Sequence, residues 1–206
     1  MRLVLPLILA LLAPSLAAPA DLVVTVRTAA GRPVADAVVT IAAPQHAPTH
    51  FAWPYRMAQR NLMFEPFVLV VPVGADVAFP NLDSVRHHVY SFSPAKKFEL
   101  KLYGREETRV VHFDKAGVVA VGCNIHDSMV GFIVVIDTPL AAKTDAAGQA
   151  VIHGAPAGEA TVRLWHPYLR APGNALTAAA TLPREGAGRL NLTAELRSPP
   201  DHHQMY

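Results

Sequence analysis

From residue 21 to residue 165 the chain is divided into short apolar runs, each ended by Gly, Pro, Asn or Asp. No stretch of ten or more residues carries the i, i+3, i+4 spacing of an amphipathic helix. Residues 21–27 alternate as a strand, Gly31-Arg32-Pro33 makes a turn, and 37–41 reads as a second strand. Runs at 67–71, 76–79, 88–92, 98–102, 108–113, 118–121 and 132–136 follow, rich in Val, Phe and Tyr. Beyond Thr138-Pro139 the sequence turns Ala- and Gly-rich, with strands expected at 151–153, 160–165 and 190–196. Residues 43–60, with Pro44, Pro48 and Pro54, read as an irregular connector. Strands at this spacing specify an all-β sandwich or barrel. The 18 Pro and 12 Gly agree with many short elements and argue against a helical bundle. With 51% hydrophobic and 17% charged residues the chain can bury a core, which excludes global disorder.

The first twenty residues stand apart. Met1-Arg2 supplies a positive start, residues 3–13 are almost wholly apolar, and Ser15, Ala17, Ala18 and Ala20 follow. This is the three-part layout of a secretory signal peptide, with cleavage expected after Ala17 or Ala20. Pro6 and Pro14 interrupt a run already too short to span a bilayer. The mature chain is therefore expected in the periplasm, without membrane insertion. Eighteen Lys and Arg against 16 Asp and Glu give +2, and no basic run occurs, so a nucleic-acid partner is not expected.

Export makes the cysteine count informative. Exported proteins use cysteines in pairs, yet Cys123 is alone. A lone cysteine there is an intermolecular bridge, a reactive thiol or a metal ligand. Its neighbours favour the last. Cys123-Asn124-Ile125-His126-Asp127-Ser128-Met129 lies between two expected strands and offers a thiolate, an imidazole and a thioether within seven residues. A second imidazole is available upstream at His87-His88. Two His, one Cys and a weak axial Met form the donor set of a mononuclear blue-copper site. A soft thiolate serves both copper oxidation states, and a distant thioether favours the reduced one. Structural zinc sites favour several Cys or His and do not use Met. A cysteine nucleophile would want a base and an orienting acid, and no paired Asp or Asn pattern stands out.

The stretch from Phe64 to Asp137 resembles the cupredoxins. The likeness is carried by Phe64-Glu65-Pro66, by 73–81 (Val-Gly-Ala-Asp-Val-Ala-Phe-Pro-Asn), by Phe113-Asp114-Lys115-Ala116-Gly117 and by the Cys-x-x-His-x-x-Met spacing. That spacing is most similar to the amicyanin branch, and the whole chain resembles plastocyanin-like proteins associated with methylamine utilization. The resemblance implies one type 1 copper held by His87, Cys123, His126 and Met129 in a Greek-key β-sandwich. Strand alternation points elsewhere for the upstream ligand, because His88 shares a face with Tyr90 and Phe92. His87 is taken as the ligand and His88 as a neighbouring donor or alternate ligand. The flanks resemble a carboxypeptidase regulatory-like domain, on residues 31–39, 143–150 and 156–158. The implied organisation is a signal peptide at 1–20, a first flank at 21–45 and a cupredoxin domain at 60–138. A second flank at 139–197 would complete a small second β-sandwich with the first, and 198–206 would be a loose tail.

The expected function is transport of single electrons, with no enzymatic activity, between transient redox protein partners such as a dehydrogenase and a cytochrome. A periplasmic copper-binding protein or chaperone is the main rival, and a copper-free partner-binding module is another. Catalysis fits least, because four protein ligands leave no open position on the metal. Other residues read as structural or unassigned: Trp165-His166-Pro167-Tyr168 as a packing corner, His112 as paired or exposed, and His46 and His50 without recognisable spacing. His202, His203 and Met205 belong to the tail.

Overall fold

The computed structural model describes residues 20–42 and 50–198. The signal peptide, apart from Ala20, His46 and most of the tail lie outside the described residues. Among the described residues sixteen strands run in chain order as β1 (Ala20–Arg27), β2 (Val38–Ile41), β3 (Ala58–Arg60), β4 (Met63–Glu65), β5 (Val68–Pro72), β6 (Ala75–Pro80), β7 (His87–Ser93) and β8 (Lys96–Tyr103). They continue as β9 (Thr108–Phe113), β10 (Gly117–Cys123), β11 (Val130–Ile136), β12 (Ala141–Lys143), β13 (Gln149–Ala155), β14 (Gly158–Trp165), β15 (Ala175–Leu182) and β16 (Ala187–Thr193). One turn of 3-10 helix at Pro172–Asn174 is the only helical element among the described residues. The all-β expectation therefore holds.

Part of the expected connector at 43–60 is ordered. Ala58–Arg60 is a strand and pairs with Met63–Glu65 across a two-residue turn. The expected strand at 190–196 begins and ends three residues earlier, at Ala187 and Thr193. It lies parallel to β1 over seven residue pairs, so its limits follow its partner and not its own apolar run.

Four layers of sheet stack on one another. A three-stranded sheet (β13-β1-β16) and a four-stranded sheet (β12-β2-β14-β15) enclose one core, with Leu22, Val24, Val26, Ile152, Val162 and Leu164 at its centre. A five-stranded sheet (β5-β11-β10-β7-β8) and the β6–β9 pair enclose another, built on Val71, Val77, Phe79, Val89, Phe113, Val121 and Ile133. A third apolar layer joins the two halves. There Val38, Ala141 and Trp165 meet Val68, Val70, Val134 and Ile136, with Phe51 between them.

This third layer explains two sequence runs that do not alternate. Val68-Leu69-Val70-Val71 and Ile133-Val134-Val135-Ile136 are buried throughout, because β5 and β11 are covered on both faces. The two strands pair in parallel, and unbroken apolar runs are what a doubly covered parallel pair needs. β5 is also an edge, and an edge leaves backbone groups without ladder partners. Lys143 Nζ donates to the Val68 carbonyl at 2.9 Å and Trp53 Nε1 to the Val70 carbonyl at 2.8 Å. Lys143 also pairs with Asp36 at 2.6 Å, which ties the four-stranded sheet to that edge.

Candidate metal centre

Strand β7 opens with His87 and strand β10 ends with Cys123, and the two run antiparallel side by side. Cys123 stands opposite Val89, so by the two-residue period Cys123, Val89 and His87 project to the same inner face. His87, Val89 and Ser91 are accordingly buried. The ladder extends one residue further, where Asn124 N–H donates to the His88 carbonyl at 3.0 Å. The chain then turns, with Met129 N–H donating to the His126 carbonyl at 2.9 Å, and re-enters the sheet at Val130. This turn returns His126 over Cys123.

Three donors converge as a result. Cys123 Sγ lies 3.8 Å from His87 Nδ1 and 3.5 Å from His126 Nδ1. All three ligand atoms fall within 4.8 Å of one another. The imidazole rings are 4.9 Å apart at 60°, tilted as two ligands of one ion would be and not stacked. One first-row ion bonded at about 2.3 Å to sulfur and about 2.0–2.1 Å to nitrogen sets those donors roughly 3.5–3.8 Å apart. The spacing therefore fits a single ion between them. One thiolate with two imidazoles suits copper, and Met129 adds a thioether at the end of the same loop. Met129 is 2% exposed and packs in the core cluster that contains Cys123.

The second nitrogen of His87 is also engaged. Its Nε2 lies 2.8 Å from Asp83 Oδ2. An ionised carboxylate only accepts, so the ring proton sits on Nε2 and the Nδ1 lone pair faces Cys123. Burial is the largest influence on His87 and carries its pKa below the ordinary imidazole value, against the opposing pull of Asp83. Burial resists ionisation of Asp83, but N–H groups of Leu62 and Asn61 and the His87 ring outweigh it, leaving its pKa below the usual carboxylate value. Both directions favour an uncharged His87 ring with a free Nδ1 lone pair, which a metal ligand requires, beside an acceptor carboxylate.

Behind these residues stands a polar network that sequence analysis did not single out. Asn81 Nδ2 donates to the carbonyls of Val85 (2.8 Å) and Tyr103 (3.2 Å), and Asn81 Oδ1 accepts from Asp83 N–H (2.9 Å). The Tyr103 hydroxyl donates to Gln59 Oε1 at 2.6 Å, with the Phe79 carbonyl 3.0 Å away. Burial pushes the Tyr103 hydroxyl pKa far up, so it stays a donor. Tyr103 reaches the core because β8 carries one extra residue here: His87 faces Tyr103 while Val89 faces Leu100. Such a bulge re-aims the following side chain. Asp83 precedes its partner by four residues in a loop, and no spacing rule marks it.

His88 is placed differently from the alternation argument. Its ring lies on the outer face and meets Glu99 Oε1 at 2.8 Å, so it is neither an alternate ligand nor a donor to the Cys123 loop. Tyr90 and Phe92 share that outer face, and Phe92 is 78% exposed. Two aromatic residues gave the solvent side an apolar look. Tyr90 earns its place by packing: its Cζ would lie 3.1 Å from a Cβ at Gly122, so its ring lies against the residue that precedes Cys123. Elsewhere, His112 is exposed and pairs with Asp76 at 2.8 Å. His166 is buried, and its Nδ1 accepts from Tyr168 N–H at 3.2 Å. A cleft of about 1130 Å³, bordered by Trp53, Arg56, Lys143 and His153, lies apart from the three donors.

No family model and no curated protein matches the chain. Solved structures that it resembles include a purple cupredoxin, variants of amicyanin and a copper-containing nitrite reductase. A purple cupredoxin from Nitrosopumilus maritimus is 24% identical over 39% of this chain and 98% of its own, with a TM-score of 0.36. A reduced mutant of amicyanin is 24% identical over 48% of this chain and 98% of its own, with a TM-score of 0.37. A copper-containing nitrite reductase from Thermus scotoductus is 26% identical over 48% of this chain, which spans only 25% of that enzyme (TM-score 0.40). The donor set and its distances, rather than these likenesses, define the centre. Among the described residues no helix is long and apolar enough to cross a membrane.

Proposed function

We propose that the chain is an exported type 1 copper protein that carries single electrons between periplasmic redox partners, with amine oxidation as the setting its sequence resemblance suggests. The observation that carries this reading is the convergence of His87 Nδ1, Cys123 Sγ and His126 Nδ1 within 4.8 Å at the end of a rigid strand pair. Copper, when bound, supplies the one-electron couple. The protein's own residues supply the rest. Cys123 gives the thiolate and is 3% exposed, so its surroundings exclude water. His126 is less buried than His87 and forms the outer edge through which an electron enters or leaves. Met129 would supply a thioether from the end of the same loop.

The surface near His126 supports transient docking. Ile125 adjoins it in sequence, Val85 belongs to the loop that carries Asp83, and Leu62 N–H donates to Asp83, so all three gather at this end. Ile125, Val85 and Leu62 are 50%, 43% and 42% exposed, and Met63 beside Leu62 is 60% exposed. Small apolar contacts of this kind suit redox encounters, which bury little area. Loading the mature protein with Cu(II) is expected to give an intense blue thiolate-to-copper band that Cys123→Ser abolishes. A pale absorption indifferent to Cys123 would overturn the proposal.

A further inference from the structure

The β3–β4 turn lies far from the ligands in sequence, yet its backbone ends on the carboxylate that holds His87. Asn61 N–H donates to Asp83 Oδ1 at 2.6 Å and Leu62 N–H to Oδ2 at 3.2 Å. The same Oδ2 accepts from His87 Nε2 at 2.8 Å. Asn61 and Leu62 have φ of 54° and 58°, the left-handed pair that a two-residue turn requires. Leu62 is unusual there, since residues with a Cβ seldom adopt positive φ. The conformation aims two successive N–H groups at one anion, which offsets part of its cost.

We propose that Asp83, clamped by this turn, is a positioning residue for the metal ligand His87. The β3–β4 hairpin thereby preorganises the centre and biases it toward the oxidised ion. This inference rests on the copper reading above. Three donors on one carboxylate fix its plane, and the carboxylate fixes the rotation of the His87 ring. Asn81 holds the intervening backbone, accepting from Asp83 N–H and donating to the Val85 carbonyl. His87 and Asp83 side chains are 0% and 12% exposed, so water competes little for either. A negative charge one ring away from the ion favours its more highly charged state. An amide at 83 would lose that charge and turn an N–H toward one of the three donors.

Asp83→Asn is the test, in the copper-loaded full chain. Partners of ligating histidines typically alter metal affinity about 10–100-fold. Cu(II) affinity is expected to fall by about that factor and Cu(I) affinity by less, so the reduction potential rises. Asp83→Glu, which keeps the charge, should recover part of the difference. A purely structural role would weaken both ions equally and leave the potential where it was, which would overturn the inference. Should Asp83→Asn fail to fold, the wild type still decides. In the diamagnetic Cu(I) form the His87 Nε2–H should exchange slowly with D₂O by NMR, and fast exchange would refute the clamp. Absence of a blue band in the wild type would instead remove the copper reading itself.

Discussion

Met129 closes the 123–129 loop with its side chain buried against the same core as Cys123, and the donor role proposed for it is separable from this packing. As a core residue it is nearly interchangeable with Leu, a volume-conserving swap that costs less than about 1.5 kcal/mol. As the proposed thioether donor it would not be replaceable by Leu. Met129→Leu should therefore leave thermal unfolding of the copper-free protein nearly unchanged while moving the reduction potential and the visible spectrum. An unchanged potential would assign Met129 to packing alone. At this scale the sequence was most readable where chemistry is compact: Cys123, His126 and Met129 share one short loop. The choice between His87 and His88 was harder. Alternation marks two faces of β7, but Tyr90 and Phe92 made the outer face look like the inner one. Asp83, Asn81, Gln59 and Tyr103 could not be read as a group, because only the folded backbone brings residues 59, 81 and 103 together.

Strands with β-branched or aromatic residues at alternate positions were legible, and β9 falls at 108–113 as the pattern predicts. Those that escaped have physical reasons. β3, β4 and β12 are three residues each, too short for any period to register. β15 reads Ala-Leu-Thr-Ala-Ala-Ala-Thr-Leu, with little apolar bulk, and draws its order from eight paired residues along β14. The β10–β11 pair shows how closely the half around the three donors is packed. A Cβ on Gly131 would lie 2.9 Å from the Phe64 Cβ on β4 and 3.4 Å from the Met57 sulfur. Neither neighbour can retreat easily, since Phe64 and Met57 are both buried. Gly131→Ala is expected to cost about 1–3 kcal/mol by overpacking. Urea denaturation of the copper-free protein should show this as a lower midpoint at unchanged slope. An unaltered midpoint would mean that β4 can move aside.

On the scale of the whole molecule, the flanking sheets do more than decorate the half that carries the three donors. Val68, Val70, Val134 and Ile136 form the outer face of the five-stranded sheet, and Val38, Ala141 and Trp165 of the four-stranded sheet cover them. Phe132 meets Trp165 edge to face with centroids 5.8 Å apart, and Phe67 stacks on Tyr168 at 6.1 Å. Removing the flanks would strip this face bare and free the Val68 carbonyl from Lys143. A contiguous apolar face beside an open strand edge is an aggregation hazard. The fragment 60–138 produced alone should therefore pellet or bind a hydrophobic dye, whereas the full chain stays in solution. By the same reasoning the full chain should unfold in one cooperative transition, since the middle core belongs to both halves. A soluble, blue, monodisperse fragment 60–138 would show that the half carrying the three donors is autonomous. The sequence alone could not decide this, because each of the unbroken runs at 68–71 and 133–136 is equally consistent with a strand buried within one domain and with a strand buried between two.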